Sequence, residues 1–340
     1  MKKITANNTL DIGPTEAYVL KKAELNYEPD VSVIVSVYNA SRYLRQALDC
    51  IISQTLKTIE IICVDDVSTD DSLDILKEYA QKDSRISVLK NEQNYGAGVS
   101  RNVGIAVAQG KYLLFLDSDD FFEPDMCEKM FAKAQKDCSD VVIAAYFFHQ
   151  DDKDVKTKKH LNSLLKNSPL SPQKLKNNIY SVITSNAWSK LFLSEKVKKH
   201  QVFFEHLSSC NDFTFVYVMC SLADQISFMP ECFVHYRTNT GTNISSYRGD
   251  KAVCVLYALR ALYQQLMKFG IYQTFKKAFL KKSLSAVLWE LSFCTESQKE
   301  GFKAEIHKVL PAEVVKFLSW RFKLQTLFDF KPILRLLRRS

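Results

Sequence analysis

The sequence predicts an α/β protein: a Rossmann-like, mainly parallel sheet with flanking helices, followed by a helical C-terminal region. Three observations lead to this prediction. Between residues 31 and 150, short β-branched apolar runs alternate with segments of helical periodicity, the pattern of a doubly wound sheet. From about residue 250 to residue 340 the apolar spacing is helical throughout. The 340 residues contain only nine glycines and eight prolines, which argues against long disordered segments.

The first strand is expected at the run from Val31 to Tyr38, which is almost continuously apolar, as in a strand buried on both faces. Ser41 is suited to cap the next helix, and Ser68 or Thr69 the one after it. The later strands are expected at 59–64, 86–89, 111–116 and 140–148, with helices ending near residues 52, 79, 108 and 136.

The chain divides into three parts by pattern. Residues 1–30 are polar and weakly patterned and are interpreted as a leader that packs on or precedes the main domain. Residues 31–245 form the main domain, in which 31–150 and 180–245 are two halves separated by a lysine-rich linker. Residues 246–340 form the helical C-terminal region.

Composition excludes few partners. The formal charge of +8 fits an anionic small molecule, a membrane surface or a nucleic acid. No basic stripe with interleaved aromatics lies in the main domain, which disfavours nucleic acid. No run approaches the roughly 18 apolar residues of a membrane span, and Met1 to Asn8 lack the apolar stretch expected of a signal peptide. Nine scattered cysteines without a CxxC pair indicate reduced thiols and a cytoplasmic protein.

The C-terminal tail is basic and amphipathic. From Arg321 to Ser340 it has six basic residues and one acid among phenylalanine and leucine side chains, and Trp320 directly precedes it. Such a tail suits the anionic inner face of the cytoplasmic membrane. A helix that packs on the main domain with a solvated basic face fits equally well, and the sequence leaves both interpretations open.

Two acidic clusters follow predicted strands. Asp117, Asp119 and Asp120 lie within four residues after the fourth strand. Because such carboxylates repel one another, the cluster favours a hard divalent cation, Mn²⁺ or Mg²⁺, that also binds substrate phosphates. A solvated acidic turn before the next helix is the alternative. Asp65 and Asp66 end the second strand, at the same edge of the sheet, where ligands of such sheets bind.

The end of the first strand adds polar and aromatic groups to that edge. Tyr38 offers a ring on which a base can stack, and Asn39 follows it. Asp66 is left to accept a hydrogen bond from a base or a ribose. Taken singly, Tyr38 and Asn39 fit a packed ring and a turn equally well.

Four motifs occur in order: Val31 to Asn39, Asp65 to Asp70, Asn94 to Ile105, and Asp117 to Asp120. Together they resemble the nucleotide-binding half of the inverting family 2 glycosyltransferases with the GT-A fold, of the type that builds bacterial surface glycans. The resemblance is close over residues 30–150 and looser over 180–245. It implies that 31–150 is the nucleotide-binding half of the main domain and that 180–245 is the acceptor and base half.

The resemblance also implies roles for single residues. Arg101 contacts a phosphate or orders the acidic cluster, while Asn102 and Gly104 shape the helix start. Asp119 is the principal metal ligand, with Asp117 as a second. The residues implied to bind the nucleotide-sugar are Tyr38, Asn39, Asp66, Arg101, Asp117, Ser118 and Arg237. Val67 stands where glycine is usual, so that turn is expected to avoid positive φ. Gly98 is expected to supply local backbone freedom.

The second half supplies the candidate base. Inverting transfer needs a carboxylate that removes the acceptor hydroxyl proton. Asn211-Asp212-Phe213 resembles the family's Glu-Asp segment, so Asp212 is the expected base, and Asn211 replaces the acid beside it. A helix N-cap is the alternative for Asp212. Trp188 and Lys190 resemble the acceptor-side segment, although a core tryptophan fits Trp188 equally well.

The sequence therefore predicts a metal-dependent inverting transferase. Its donor is expected to be a UDP-sugar, and its acceptor a growing surface glycan or a lipid-linked glycan. A sugar-phosphate nucleotidyltransferase is the rival enzyme, but it needs a glycine-rich loop after the first strand, which Tyr38 to Ser41 is not. A non-catalytic assembly subunit is the other rival. The retained acids argue against it: Asp66, Asp117, Asp119 and Asp212.

Overall fold

The protein is described by a computed structural model over residues 2–7, 15–150, 153–156, 164, 168–238 and 251–327, without the side chains of 322–327. The chain falls into two compact units. The first comprises Met1–Leu175, Ser185–Leu207 and Asn211–Gly241. The second comprises Lys176–Thr184, Ser208–Cys210 and Thr242–Ser340.

The first unit is built on one mixed sheet, which has eleven strands within the described residues. The strands are β1 Lys2–Ala6, β2 Thr15–Lys21, β3 Val31–Val37, β4 Ile59–Asp65, β5 Ile86–Asn91, β6 Tyr112–Asp117, β7 Phe121–Phe122, β8 Val141–Gln150, β9 Lys153–Lys156, β10 Lys190–Leu193 and β11 Ile226–Arg237. Their order is β1-β2-β5-β4-β3-β6-β10-β8-β11-β7, with β9 paired to β8.

The helices alternate with the strands and then dominate the end of the chain. They are α1 Ser41–Ile52, α2 Ser72–Lys82, α3 Ala97–Val107, α4 Met126–Asp137, α5 Ile179–Val182, α6 Ser194–His200, α7 Phe213–Leu222, α8 Cys254–Lys268, α9 Tyr272–Leu291, α10 Glu296–Val309 and α11 Ala312–Leu327. A single 3₁₀ turn is described at Pro172–Leu175.

The centre of the sheet is parallel and runs β5-β4-β3-β6. All seven residues of β3 are buried, because helices cover both faces of a parallel sheet. In the register of these strands Val37 lies opposite Asp65, and Ser36 lies opposite Asp117. The acidic strand ends therefore flank the end of β3 at one edge. The predicted fold class is confirmed.

The interpretation of residues 1–30 as a leader is corrected. Lys2–Ala6 and Thr15–Lys21 pair antiparallel with each other, and the second of them pairs with β5. They extend the main sheet at its edge. Four of the five residues of β1 are exposed or half-buried, so its sequence lacks the apolar run that marked the central strands.

The expected serine and threonine caps are also corrected. Neither α1 nor α2 has a side-chain cap on its N-cap residue. Instead, Asp70 accepts hydrogen bonds from the backbone N–H of Ser41 at 3.0 Å and of Ser72 at 3.0 Å. Burial opposes ionisation of this carboxyl, but hydrogen bonds from the side chains and the backbone N–H groups of Ser72 and Ser41 prevail and lower the pKa of Asp70 to about 2. One carboxylate thus ties the starts of both helices together.

The second unit is helical, as predicted for the C-terminal region. Helix α5 packs within it through Tyr180, whose ring centroid lies 6.2 Å from that of Phe275 on α9. Ile179 and Tyr180 are fully buried. In the part of the chain that the structure describes, no helix is long and apolar enough to cross a membrane. Residues 328–340 of the basic tail, and with them much of the membrane interpretation, lie outside the described residues.

Candidate active site

The strand-end carboxylates form a compact cluster. Oxygen atoms of Asp117, Asp119 and Asp120 lie within 4.8 Å of one another. Asp120 is only 1% exposed, and Ser118 beside it is also buried, so the turn is not the solvated one that was the alternative. Asp120 Oδ1 accepts a hydrogen bond from the backbone N–H of Arg237 at 2.9 Å. Asp120 Oδ2 is buried and has no hydrogen-bond partner among the described residues.

Proximity and burial make this cluster electrostatically unfavourable without a cation. Burial, together with the charge of Asp117, raises the pKa of Asp119 to about 6. Burial and the two neighbouring carboxylates raise the pKa of Asp120 well above its usual range. Both shifts express the cost of placing like charges together out of water. An orphaned buried oxygen beside two further carboxylates fits a hard, oxygen-preferring cation such as Mg²⁺ or Mn²⁺.

Arg101 connects this cluster with the second half of the domain. Its guanidinium donates to Asp117 Oδ1 at 2.6 Å and to Asn211 Oδ1 at 2.8 Å. The Arg101 side chain is 7% exposed. Of the two roles expected for Arg101, ordering the acidic cluster is the one the contacts display. Asn211 keeps a function although it replaces an acid, because its amide oxygen holds the guanidinium.

Helix α3 brings these groups together by packing closely on its surroundings. Asn102 forms a two-point contact with the backbone of Phe204, donating at 2.9 Å and accepting at 2.9 Å. A Cβ on Gly98 would lie 2.3 Å from the carbonyl oxygen of Glu205, and one on Gly104 would lie 2.4 Å from Ile34 Cγ2. The expectation that Gly98 supplies backbone freedom is corrected. Gly98 does not adopt a positive φ, and glycine is required there because a Cβ would collide with the Glu205 carbonyl.

Asp212 lies beside this arrangement at the N-cap position of α7. Asp212 occupies the N-cap position that the alternative interpretation expected, but its side chain makes no capping hydrogen bond to the helix. The carboxylate is therefore not used to cap α7. Burial raises the pKa of Asp212 to about 6, with Asp117 adding to the rise and with Arg101 and Lys190 opposing it. A carboxylate of this kind is ionised at neutral pH and basic enough to take a proton.

The two acceptor residues predicted from sequence are corrected. Lys190 is fully buried in β10, where its ammonium donates to the carbonyl oxygen of Asn186 at 2.6 Å. Burial lowers the pKa of Lys190 to about 8. Trp188 is also buried and stacks on Tyr236 with the ring centroids 5.2 Å apart. Neither side chain presents a surface to an acceptor, and the core interpretation of Trp188 is the right one.

The end of β4 supports a loop at the same edge. Asp66 is buried, and its carboxylate accepts hydrogen bonds from the Asn91 amide at 2.6 Å, from Tyr95 N–H at 2.9 Å and from Gly96 N–H at 2.7 Å. A carboxylate has about four acceptor positions, so these three hydrogen bonds do not exhaust its capacity, although Asp66 is only 2% exposed. Asp66 therefore shapes the loop at Tyr95 and Gly96 in addition to any contact of its own.

Tyr38 and Asn39 have different structural roles: the Tyr38 ring is exposed, and Asn39 forms a turn. The Tyr38 side chain is 51% exposed, as a stacking surface requires. Asn39 has φ 47° and accepts a hydrogen bond from Thr69 N–H at 2.8 Å, which joins the ends of β3 and β4. Val67 has φ 63°, so the expectation that its turn avoids positive φ is wrong.

Arg237 reaches the cluster from the end of β11. Its guanidinium lies 4.7 Å from the ring centroid of Tyr43 and 4.8 Å from that of Phe121, and it also contacts Gln46. Its charge opposes the rise in the pKa of Asp119. The rings of Tyr43 and Phe121 thus hold the positively charged Arg237 guanidinium near the three carboxylates.

Comparison with known proteins identifies the family. The profile of Glycosyl transferase family 2 matches residues 32–197. The putative glycosyltransferase EpsH of Bacillus subtilis is 32% identical over 242 residues, which cover 70% of this chain and 70% of EpsH. The chain belongs to glycosyltransferase family 2. It is accordingly a glycosyltransferase, and the predicted family is confirmed.

Two further likenesses extend this finding. The putative teichuronic acid biosynthesis glycosyltransferase TuaG of Bacillus subtilis is 45% identical over 104 residues, 31% of this chain and 41% of TuaG. The crystal structure of S. aureus TarS 1-349 in complex with UDP-GlcNAc aligns with a TM-score of 0.63 and 21% identity over 84% of this chain and 82% of TarS. The second likeness shows a shared fold.

Sequence reasoning missed how this glycosyltransferase joins its two halves. The partner of Arg101 is Asn211, 110 residues later in the chain, and the partner of Asn102 is the backbone of Phe204. The glycines at positions 98 and 104 were the available signal, because glycine is used where other groups approach the backbone closely. The identity of the approaching segment was not readable from it.

Proposed function

We propose that this glycosyltransferase transfers one sugar from a UDP-sugar to a growing surface glycan or lipid-linked glycan, with inversion at the anomeric carbon. The observation that carries the proposal is the Arg101 bridge between Asp117, in the carboxylate cluster, and Asn211, next to Asp212. A cation-binding cluster and a candidate base thereby lie around one side chain. The UDP-GlcNAc complex of TarS and the teichuronic acid assignment of TuaG support the choice of donor and acceptor class.

The donor site is proposed along the edge formed by β3, β4 and β6. The exposed ring of Tyr38 is proposed to stack on the base, and the remaining acceptor capacity of Asp66 is proposed to receive a base N–H. Asp117 and Ser118, at the end of β6, are proposed to contact the ribose and the sugar. The Arg237 guanidinium, held between two rings beside the carboxylates, pairs with the diphosphate.

Asp119, with Asp117, would hold Mn²⁺ or Mg²⁺. The buried oxygen of Asp120 that lacks a partner supports a cation there. When bound, the ion supplies positive charge that stabilises the diphosphate leaving group. Since a cation favours the ionised carboxylates, its binding competes with protonation of Asp119, whose pKa is raised to about 6.

Asp212 is proposed as the general base. Its carboxylate accepts the proton of the acceptor hydroxyl while that oxygen forms a bond to the anomeric carbon. The bond from the anomeric carbon to the diphosphate oxygen breaks on the opposite side, and the electron pair leaves with UDP. The nearby positive charges of Arg101 and Lys190 keep Asp212 ionised at neutral pH despite its burial.

The test begins with the purified protein and UDP-, GDP- and CMP-sugars, with and without Mn²⁺. We expect donor binding and slow donor hydrolysis with a UDP-sugar in the presence of Mn²⁺ only. Asp119→Ala is expected to abolish the metal-dependent binding. Asp212→Asn is expected to retain donor binding and to lose transfer by at least about 100-fold, the scale of a general base.

The outcomes separate the rival functions. Failure to bind any donor contradicts the proposed enzyme. Release of pyrophosphate from UTP and a sugar 1-phosphate identifies a nucleotidyltransferase instead. If Asp212→Asn loses donor binding as well, Asp212 has a structural role and the base lies elsewhere.

A further inference from the structure

A second cluster of metal-ligating side chains lies outside the donor site. It consists of His149 on β8, Asp154 on β9 and His235 on β11. One ligand atom from each of the three lies within 4.8 Å of the others. Unlike the carboxylate cluster at the end of β6, this one offers two imidazole nitrogens and one carboxylate.

The strand register builds this cluster. His149 lies directly opposite Asp154 in the β8–β9 pair, and His235 lies opposite Phe147, two residues before His149. Directly opposite and diagonal neighbours on one sheet face are within reach of long side chains. His149 Nδ1 lies 2.9 Å from Asp154 Oδ1, and His235 Nδ1 lies 2.9 Å from Asp154 Oδ2. One carboxylate therefore faces two imidazoles, one at each oxygen.

The rings are also held in place from behind. His235 is buried and stacks on Phe121 with centroids 4.2 Å apart, while the same phenyl ring meets His149 edge-on at 4.9 Å. The other ring nitrogen of His235, Nε2, lies 3.0 Å from Glu123 Oε1. A histidine that donates its second N–H to a carboxylate is the usual arrangement behind a metal ligand, because it fixes the tautomer and the ring plane.

The His235 tautomer that carries its proton on Nε2, toward Glu123, leaves Nδ1 able to ligate a cation. With its proton on Nε2, His235 presents the lone pair of Nδ1 to Asp154. Nδ1 is buried and makes no hydrogen bond of good geometry among the described residues. Two acceptors facing each other at 2.9 Å are stabilised by a positive ion that both can ligate.

We propose that His149, Asp154 and His235 form a site for a first-row transition-metal ion, best represented by Zn²⁺. Two imidazole nitrogens and one carboxylate are ligands that Zn²⁺ accepts, with a fourth position open to water. Mg²⁺ prefers oxygen ligands and would favour the carboxylate cluster. The ion would join β9 and β8 to β11, and so hold the stack of His235 on Phe121, the ring that also contacts Arg237.

The experiment titrates Zn²⁺ into the chelator-stripped full chain by calorimetry, with millimolar Mg²⁺ present to fill the carboxylate cluster. We expect one tight site. His149→Gln and Asp154→Asn are each expected to weaken it at least about 100-fold, and Glu123→Ala about 10- to 100-fold. His307→Ala, at an exposed position of α10, and Cys138→Ser, at an exposed thiol, are matched controls that leave the affinity unchanged.

Cobalt and stability measurements make the result independent of activity. Co²⁺ in the wild-type site is expected to show the visible bands of tetrahedral coordination, and the Asp154→Asn variant is expected to lack them. The Asp154 side chain is 34% exposed, so this variant should unfold at the wild-type temperature when no metal is present. Equal Zn²⁺ affinity in His149→Gln and wild type, or no tight site in the wild type, would overturn the proposal.

Discussion

The turn after β4 places a β-branched residue in the left-handed region. Val67 has φ 63°, a conformation that costs an L-residue about 1–2 kcal/mol and a β-branched one no less. The surrounding turn imposes it, since Ser68 N–H reaches Asp65 and Thr69 N–H reaches Asn39. Strain of this kind persists where neighbouring contacts over-determine the backbone.

We expect Val67→Gly to stabilise the protein by about 0.5–1 kcal/mol, since glycine removes the strain but loses more freedom on folding. Val67→Ala removes the branch and keeps a Cβ, so it should gain less than the glycine variant. Chemical denaturation of the three proteins measures the effect. A glycine variant less stable than the alanine variant would contradict the strain.

The carboxylate cluster makes stability depend on pH and on metal. Because the folded pKa of Asp119, about 6, exceeds its ordinary value, the folded state takes up a proton before the unfolded state does. Metal-free protein should therefore gain stability as the pH falls from about 7 to 4.5, through this group and through Asp120, whose pKa is also raised.

The corresponding variant is Asp119→Asn, which removes a charge from the cluster. At pH 7.5 with chelator we expect it to be more stable than the wild type by about 1–2 kcal/mol, with the difference shrinking toward pH 4.5. Thermal unfolding measures this, and Mn²⁺ should stabilise only the wild type. Asp74→Asn, at an exposed ion pair of α2, is the control and should change little. A less stable Asp119→Asn at pH 7.5 would show that the cluster is not strained.

At the scale of elements, the position of α3 is determined more by its close contacts with residues 204–211 than by the helix propensity of its sequence. Gly98→Ala would press a methyl group to 2.3 Å from the Glu205 carbonyl and 3.1 Å from Asn211 Cβ. We expect a loss of about 1–3 kcal/mol, as for overpacked cores, and weaker donor binding because Asn211 holds Arg101. Gly301→Ala is the matched control in the interior of α10, where a Cβ meets nothing within 4 Å.

The control should behave oppositely. Alanine in an open helix interior is favoured over glycine by about 1 kcal/mol, so Gly301→Ala should raise the unfolding midpoint. Denaturant titration of both variants makes the comparison. If Gly98→Ala were as stable as the wild type, residues 204–205 would be able to move away from the added methyl group, and the predicted loss of stability would be wrong.

The same scale shows what the sequence could predict. The β3, β4 and β6 strands are apolar runs that alternate with helical segments, so their positions, their parallel direction and the meeting of their acidic ends at one edge were predictable from the sequence. Strand β1 is short and mostly exposed, and its place depends on an edge that only the folded sheet provides. Lys190 was expected on the acceptor side, because nothing local in the sequence indicates that Asn186 supplies a buried hydrogen-bond acceptor.

At the scale of the whole molecule, the second unit includes an early segment of the chain. Helix α5, within Lys176–Thr184, belongs with α8–α11 and buries Ile179 and Tyr180 there. A fragment ending at residue 241 would strip these side chains of partners such as Phe275. Exposed apolar surface of this kind promotes association.

We expect that fragment to be poorly soluble and to bind a hydrophobic dye, in contrast to the full chain. Ile179→Ser with Tyr180→Ser in the same fragment should restore part of its solubility, because the exposed apolar area is removed. Sedimentation and dye fluorescence measure the difference. A monomeric 1–241 fragment that unfolds cooperatively would show that α5 does not depend on the later helices.

The Asn102–Phe204 and Arg101–Asn211 contacts bear on how this enzyme can be recombined. Exchanging the acceptor half for that of another family member would carry residues 204–211 away from the helix that they were fitted to. A chimera joined in the linker would then set a foreign side chain against Arg101. The useful crossover points lie elsewhere, with the 204–211 segment inherited from the same parent as α3.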